Sequence, residues 1–308
     1  MKNILVTGGA GFIGSHTVDF LLEKNKNVIV YDNFSTGKLT NLNVFHPNLR
    51  VVQGDILNFS LLQMEVNRCD AVIHLAALPS VIKSIEDPVN SLKVNTLGFL
   101  HVLEAIRATT RPIRLVYASS AAVYGRVAEL PCSDETPLQC ASLSPYALEK
   151  ANNERYAGLH GQLFGIPSLG LRYFNVYGTR QDPSSPYSGV ISKFLAHFIK
   201  KDKITIFGDG EQSRDFIHVA DLAKANWLAL ESDYTGVLNI ATGKPETLNA
   251  LVQYLNDVSG QSVEIEYTAS RMGDIPKSYA ETAKALKNLG FQSEIDLMTG
   301  IKTLWQIN

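Results

Sequence analysis

The 308 residues predict an α/β fold, a doubly wound parallel sheet followed by a smaller C-terminal lobe. Three observations carry this. Short apolar stretches recur without polar alternation, as strands buried on both faces do. Amphipathic stretches of helical length separate them. A glycine-rich turn, "TGGAGFIGS", joins the first strand-like stretch to the first helical one.

In order, the expected strands are 3–8, 27–32, 49–55, 70–76, 113–119 and 167–174, and the helices between them include 12–24, 88–109 and 145–164. This alternation is that of a parallel sheet covered on both faces, the Rossmann arrangement. After residue 175 the rhythm changes. A turn-rich stretch, "RQDPSSPYSG", precedes a helix at 190–200, a strand at 204–208, a helix at 219–231, a strand at 236–242 and a mixed tail. No composition shift marks a linker. The expected division is a dinucleotide domain over 1–175, rejoined by about 217–242, and a second lobe over 176–308.

Composition narrows the function classes. Apolar residues make up 45% and charged residues 19%, an ordinary globular balance. A net charge of -2 offers no basic field to nucleic acid or an anionic membrane, and neither is expected as a partner. The three cysteines, Cys69, Cys132 and Cys140, lack metal-ligand spacing and read as reduced thiols of a cytoplasmic protein; no metal is expected. The first apolar run breaks at glycines after six residues, and no later run approaches the roughly 20 needed to cross a bilayer.

The glycine turn places Gly8, Gly11 and Gly14 at three-residue spacing, with Phe12 and Ile13 opening the helix. Glycines permit close backbone approach, and a helix N-terminus offers N–H groups to a pyrophosphate. Asp32 ends the second strand 18 residues after Gly14, where a carboxylate takes ribose hydroxyls and repels a 2′-phosphate, so NAD is expected rather than NADP. Asp55 and Ile56 fit an adenine-edge position, with a plain turn as the alternative. Tyr146 and Lys150 form Tyr-x-x-x-Lys at the start of a helix and share one helical face. A phenol of pKa ~10 is costly to hold as phenolate at neutral pH unless a cation lies beside it. With a cation there it becomes a general base for an alcohol.

In combination, "TGGAGFIG", the strand-end Asp32, "HLAA", "SSAAVYG", "SPYALEK" and "LRYFNVYG" resemble the extended short-chain dehydrogenase/reductase family. "GDGEQSRDFIHVADLA" and "RMGDIPKS" are similar to the nucleotide-sugar site of its UDP-hexose and UDP-N-acetylhexosamine 4-epimerases. The resemblance implies NAD contacts from Asn33, Leu75, Ala76, Ala77, Asn95, Ser119 and Tyr173 besides those above. It implies a UDP-sugar held by Ser120, Asn175, Val190, Thr205, Phe207, Arg214, Arg271, Asp274 and Ser278, the two arginines on the diphosphate. It also implies a homodimer through a four-helix bundle of 88–109 and 145–164. The implied reaction is C4 epimerisation of a UDP-sugar through a 4-keto intermediate. A small Ser278 leaves room for an N-acetyl group, pointing to the UDP-GlcNAc/UDP-GalNAc pair, with the UDP-glucose pair as the alternative.

One departure stands out. The resemblance implies a catalytic Ser or Thr 25 residues before Tyr146, and that position is Ala121, so the chain reads as a low-activity Ser→Ala form. Two rival functions remain. A nucleotide-sugar dehydratase or decarboxylase is one, although Ala121 and Ala122 stand where a dehydratase needs acidic groups. A non-enzymatic NAD-binding regulator is the other, although it has no use for Tyr146 and Lys150.

Overall fold

The computed structural model describes residues 1–126, 129–139, 144–183, 189–270 and 275–307. Six strands come from the first half: β1 (Asn3–Thr7), β2 (Asn27–Asp32), β3 (Leu49–Gln53), β4 (Ala71–His74), β5 (Arg114–Ser120) and β6 (Ser168–Tyr173). Seven follow: β7 (Asn175–Tyr177), β8 (Ile204–Phe207), β9 (Ser213–His218), β10 (Gly236–Ile240), β11 (Pro245–Thr247), β12 (Ile265–Thr268) and β13 (Lys277–Ser278).

The main sheet has seven parallel strands in the order β10-β6-β5-β4-β1-β2-β3. Ile4, Leu5 and Val6 are fully buried because both faces of β1 are covered, which explains the missing polar alternation. On one face, the helix Phe12–Glu23 packs through Val18, Leu21 and Leu22 in one core with Leu222, Ala225 and Leu230 of the helix Val219–Glu231. On the other, Leu62, Val102, Ile106 and Ala157 bring in the helices Phe59–Val66, Gly98–Arg107 and Pro145–Phe164. The strand order reverses between β1 and β4, so a crevice opens at their carboxyl ends. Most of the dinucleotide residues expected from the sequence lie in segments that end near it.

The stretch 88–107 is helical throughout, but Lys93–Leu97 is wound as a π turn between Pro88–Leu92 and Gly98–Arg107. The mixed tail resolves into strands and helices. β9 pairs with β7 at its end and with β11 and β13 at its start. β8 pairs with β12. Behind these strands Phe194, Phe198, Leu251, Leu255, Ile301 and Leu304 form a separate core. β10 lies in the main sheet, beside β6. No described helix is long and apolar enough to cross a membrane.

Candidate active site

A cavity of about 480 Å³ opens at the crevice. Its floor is the glycine turn. Gly8 has φ +70°, and a Cβ there would lie 2.6 Å from the Ala76 nitrogen, so β1 and the residues after β4 can close only around glycine. Gly11 starts the helix Phe12–Glu23 with no side-chain cap, which leaves first-turn N–H groups for a ligand oxygen. Asp32 is buried at the wall. Its Oδ2 accepts from the Ala10 N–H at 2.9 Å and its Oδ1 from the Phe34 N–H at 2.8 Å. Burial raises its carboxyl above the usual range, partly offset by those two donors. Asp55 accepts from the Asn33 amide at 3.0 Å, so these two expected cofactor residues are tied together at the rim. Ile13, Ile56, Leu75, Ala76, Ala77 and Tyr173 line the same cavity.

The helix Pro145–Phe164 delivers the reactive pair. Ser144 caps it through the Ala147 N–H and Pro145 occupies its first turn, so Tyr146 projects from a fixed end. The Tyr146 N–H donates to Ser84 Oγ at 3.1 Å. Lys150 is buried one turn below. Its ammonium donates to the Ala118 carbonyl at 2.8 Å and lies 5.9 Å from the Tyr146 ring centre. Burial brings Lys150 down to about 8, while Glu149 and Glu154 act against that fall. Burial likewise pushes the Tyr146 phenol up, and a hydrogen bond with the Ser120 side chain pulls it back.

That bond corrects the expectation for Ala121. β5 ends at Ser120, whose backbone is extended, and the chain turns into a single 3-10 turn from Ala121 to Tyr124. Ser120 lines the cavity and holds its hydroxyl at Tyr146. Ala121 instead packs, partly buried, against the apolar cluster that contains Val123, Ala147 and Phe174. Counting back from the tyrosine assumed a fixed loop length; the strand end, which decides where a side chain points, lies one residue earlier. The low-activity reading loses its basis, and Ala121 and Ala122 are simply the two apolar residues after the hydroxyl. Ser120→Ala should lower kcat ten- to a hundredfold, since a hydrogen bond to a charged group contributes about 1.5–3 kcal/mol. Ala121→Ser should change it little, and steady-state rates of the two variants check both.

Other expected residues sort unevenly. Asn175 and Val190 line the cavity. Asn95 does not; it is buried behind the wall, where its side chain accepts from the Leu78 N–H at 2.8 Å and donates to Glu149 at 2.7 Å. It therefore shapes the cavity edge from outside. Ser119 reaches the cavity, but its hydroxyl is turned to Glu154 at 2.5 Å. Thr205 and Phe207 on β8, and Arg214 and Ser278, stand beyond the cavity lining; Arg214 and Ser278 are register partners on β9 and β13. Arg214 donates to the Ile275 carbonyl at 2.8 Å. Arg271 and Asp274 lie outside the described residues. Sequence reasoning missed Ser84, Glu154 and Arg172; Glu154 could have been found, four residues after Lys150 on the same helical face.

Comparison with known proteins agrees with this geometry. The model of the NAD dependent epimerase/dehydratase family matches residues 4–241. A putative UDP-glucose 4-epimerase of Methanocaldococcus jannaschii is 42% identical over 309 residues, 99% of this chain and 98% of that one. A solved UDP-N-acetylglucosamine 4-epimerase of Methanobrevibacter ruminantium, in complex with UDP-N-acetylmuramic acid, is 39% identical with a TM-score of 0.94, covering 99% and 98% of the two chains. The UDP-glucose 4-epimerase of Thermus thermophilus in complex with NAD is 35% identical with a TM-score of 0.89, covering 97% and 96%. The family match runs from the first strand of the main sheet past the end of its last, so this chain belongs to the NAD dependent epimerase/dehydratase family and its cofactor is NAD.

Proposed function

We propose that the enzyme interconverts UDP-N-acetylglucosamine and UDP-N-acetylgalactosamine at C4 through a 4-keto sugar. The observation that carries the reaction is the half-buried Tyr146 phenol, hydrogen-bonded to Ser120 and standing one turn above a buried ammonium, at the wall of a cavity floored by a dinucleotide turn. The turn from Gly8 to Gly14 and the Asp32 carboxylate would hold NAD, which when bound would supply the hydride chemistry. Tyr146 takes the proton of the sugar 4-hydroxyl and gives it back, Ser120 steadies the oxygen, and Lys150 favours the phenolate. Ala121 and Ala122 supply no acid or base for dehydration. Arg214 and Arg271 anchor the nucleotide diphosphate and Asp274 takes the uridine ribose, while the sugar must turn over between two orientations.

The acetylated substrates are favoured by Ser278, a small side chain in register with the anchoring Arg214, and by the similarity to a UDP-N-acetylglucosamine 4-epimerase. Assay of all four UDP-hexoses tests this. UDP-GlcNAc and UDP-GalNAc should have the higher kcat/KM, and Ser278→Tyr should suppress that pair about ten- to a hundredfold while sparing the plain hexoses, since overfilling costs about 1–3 kcal/mol. Equal losses on both pairs would remove Ser278 from the specificity wall.

The working form we propose is a homodimer. Ile85, Val89 and Leu92 form one exposed apolar stripe, and Leu148, Tyr156, Leu159 and Leu163 another, on adjoining helices. A second copy covering both completes a four-helix bundle. Light scattering should give twice 33.8 kDa, and Val89→Asp combined with Leu159→Asp should reduce it to the monomer mass.

A further inference from the structure

Beneath the Tyr146–Lys150 pair lies a polar network that the proposed reaction does not use. Glu154 is the next residue on the helical face that carries Tyr146 and Lys150. Its Oε1 accepts from Ser119 Oγ at 2.5 Å and from Arg172 Nε at 2.9 Å, and its Oε2 from Arg172 Nη2 at 2.7 Å. The ion pair is bidentate, with side chains only 4% and 7% exposed. Arg172 Nη1 donates to Tyr124 Oη at 2.8 Å and to the Asp134 carbonyl at 2.9 Å. Ser119 and Arg172 are register partners on β5 and β6.

We infer that Ser119, Glu154 and Arg172 are positioning residues for the proton transfer: they fasten the end of β5 to the helix Pro145–Phe164, so that Ser120 and Lys150 meet the Tyr146 phenol in one register. The inference rests on the reading of Tyr146 as the proton acceptor. Strand and helix meet at three successive rungs. Ser120 meets Tyr146, the Ala118 carbonyl meets Lys150, and Ser119 meets Glu154. Adjacent strand residues point to opposite faces, so fixing the Ser119 hydroxyl away from the substrate fixes the Ser120 hydroxyl toward it. Remote packing alone would need no carboxylate here. A buried ion pair gives little net stability over apolar residues of the same size, whereas one joined to the strand by a short hydroxyl bond sets a geometry.

The charge has a second consequence. The groups facing Tyr146 and Lys150 are Glu149 and Glu154 on their own helix, His74 on β4, and Ser120 on β5, with Arg172 on β6 behind Glu154. Burial brings His74 down to about 3, so it is neutral and adds no charge. The two carboxylates are then what keeps Lys150 cationic against its burial.

The test titrates the Tyr146 phenol in the NAD-bound protein by ultraviolet difference absorbance, with the Tyr146→Phe chain subtracted. Ser119→Ala removes the hydroxyl rung and leaves the ion pair intact. It should retain NAD, raise the midpoint by about one pH unit and lower kcat about tenfold at constant KM. Ser119→Thr, which keeps a hydroxyl, should restore both. Glu154→Gln should move the midpoint the same way; if it fails to fold with Arg172 unpaired, Ser119→Ala decides. A midpoint unmoved in Ser119→Ala, whatever happens to Tm, overturns the inference and makes the network structural. No sugar enters this measurement, so a chain inactive on every UDP-sugar that still shows the shift sinks the proposed function and keeps the positioning role.

Discussion

Tyr146→Phe should reduce epimerisation by about a thousandfold or more, while NAD content and UDP-sugar affinity stay close to those of the unaltered protein. The size follows from what is lost. General acid–base catalysis contributes typically 10²–10⁴-fold, and the Tyr146 hydroxyl both removes and returns the proton, so its loss affects each half of the turnover. Binding should survive because the ring that packs at the helix start is retained, and the proposed anchors, Arg214 among them, lie on other elements. The phenol is held high by burial, with the Ser120 hydroxyl pulling against that; a variant without the oxygen leaves the Ser120 hydroxyl with water to bind. Single-turnover rates, with bound sugar measured separately by calorimetry, check the split. A rate within tenfold of the unaltered protein would assign the base elsewhere, and a matching loss of sugar affinity would make Tyr146 a binding residue.

The elements legible from sequence were those whose pattern is set locally. The six strands of the first half are found within about two residues because a strand covered on both faces must be apolar throughout. Gly8, Asp32 and Tyr146 were legible for a related reason. Each sits at a strand or helix end, where one residue type satisfies one steric or electrostatic demand. The tail was opaque because β11 and β13 have only three and two residues and exist by pairing with β9, a long-range event with no local signature. Asn95 sits within the π turn at Lys93–Leu97, behind the cavity wall, and a single inserted residue in a helix leaves no mark on hydrophobic periodicity. Ala121 shows the same limit at one-residue resolution. Where a strand ends decides which of two neighbouring side chains faces the substrate, and spacing to a distant tyrosine does not.

Gly14→Ala should abolish the retention of NAD. The redox cycle returns its hydride each turnover and gains nothing from cofactor exchange, so the unaltered protein should release NAD, and not NADP, when a desalted sample is denatured. At Gly14 a Cβ would stand 2.1 Å from the Gly8 carbonyl oxygen and 2.8 Å from the Gly9 Cα. Both are backbone atoms, and neither can turn aside as a side chain would. The Gly8 carbonyl also accepts the Gly11 N–H at 3.2 Å, so moving it opens the turn that starts the helix. The helix N-terminus must then retreat from β1, taking with it the N–H groups that face the pyrophosphate. Overfilling of this kind costs about 1–3 kcal/mol even where side chains can adjust, and about 3 kcal/mol is already a hundredfold in affinity. Gly11 makes the informative control. A Cβ there would meet only the Gly8 oxygen, at 3.3 Å, with no positive φ to relax, so Gly11→Ala should bind NAD more weakly than the parent but far better than Gly14→Ala. Equal NAD content in both variants would mean that the helix start, and not its distance from β1, is what the cofactor senses.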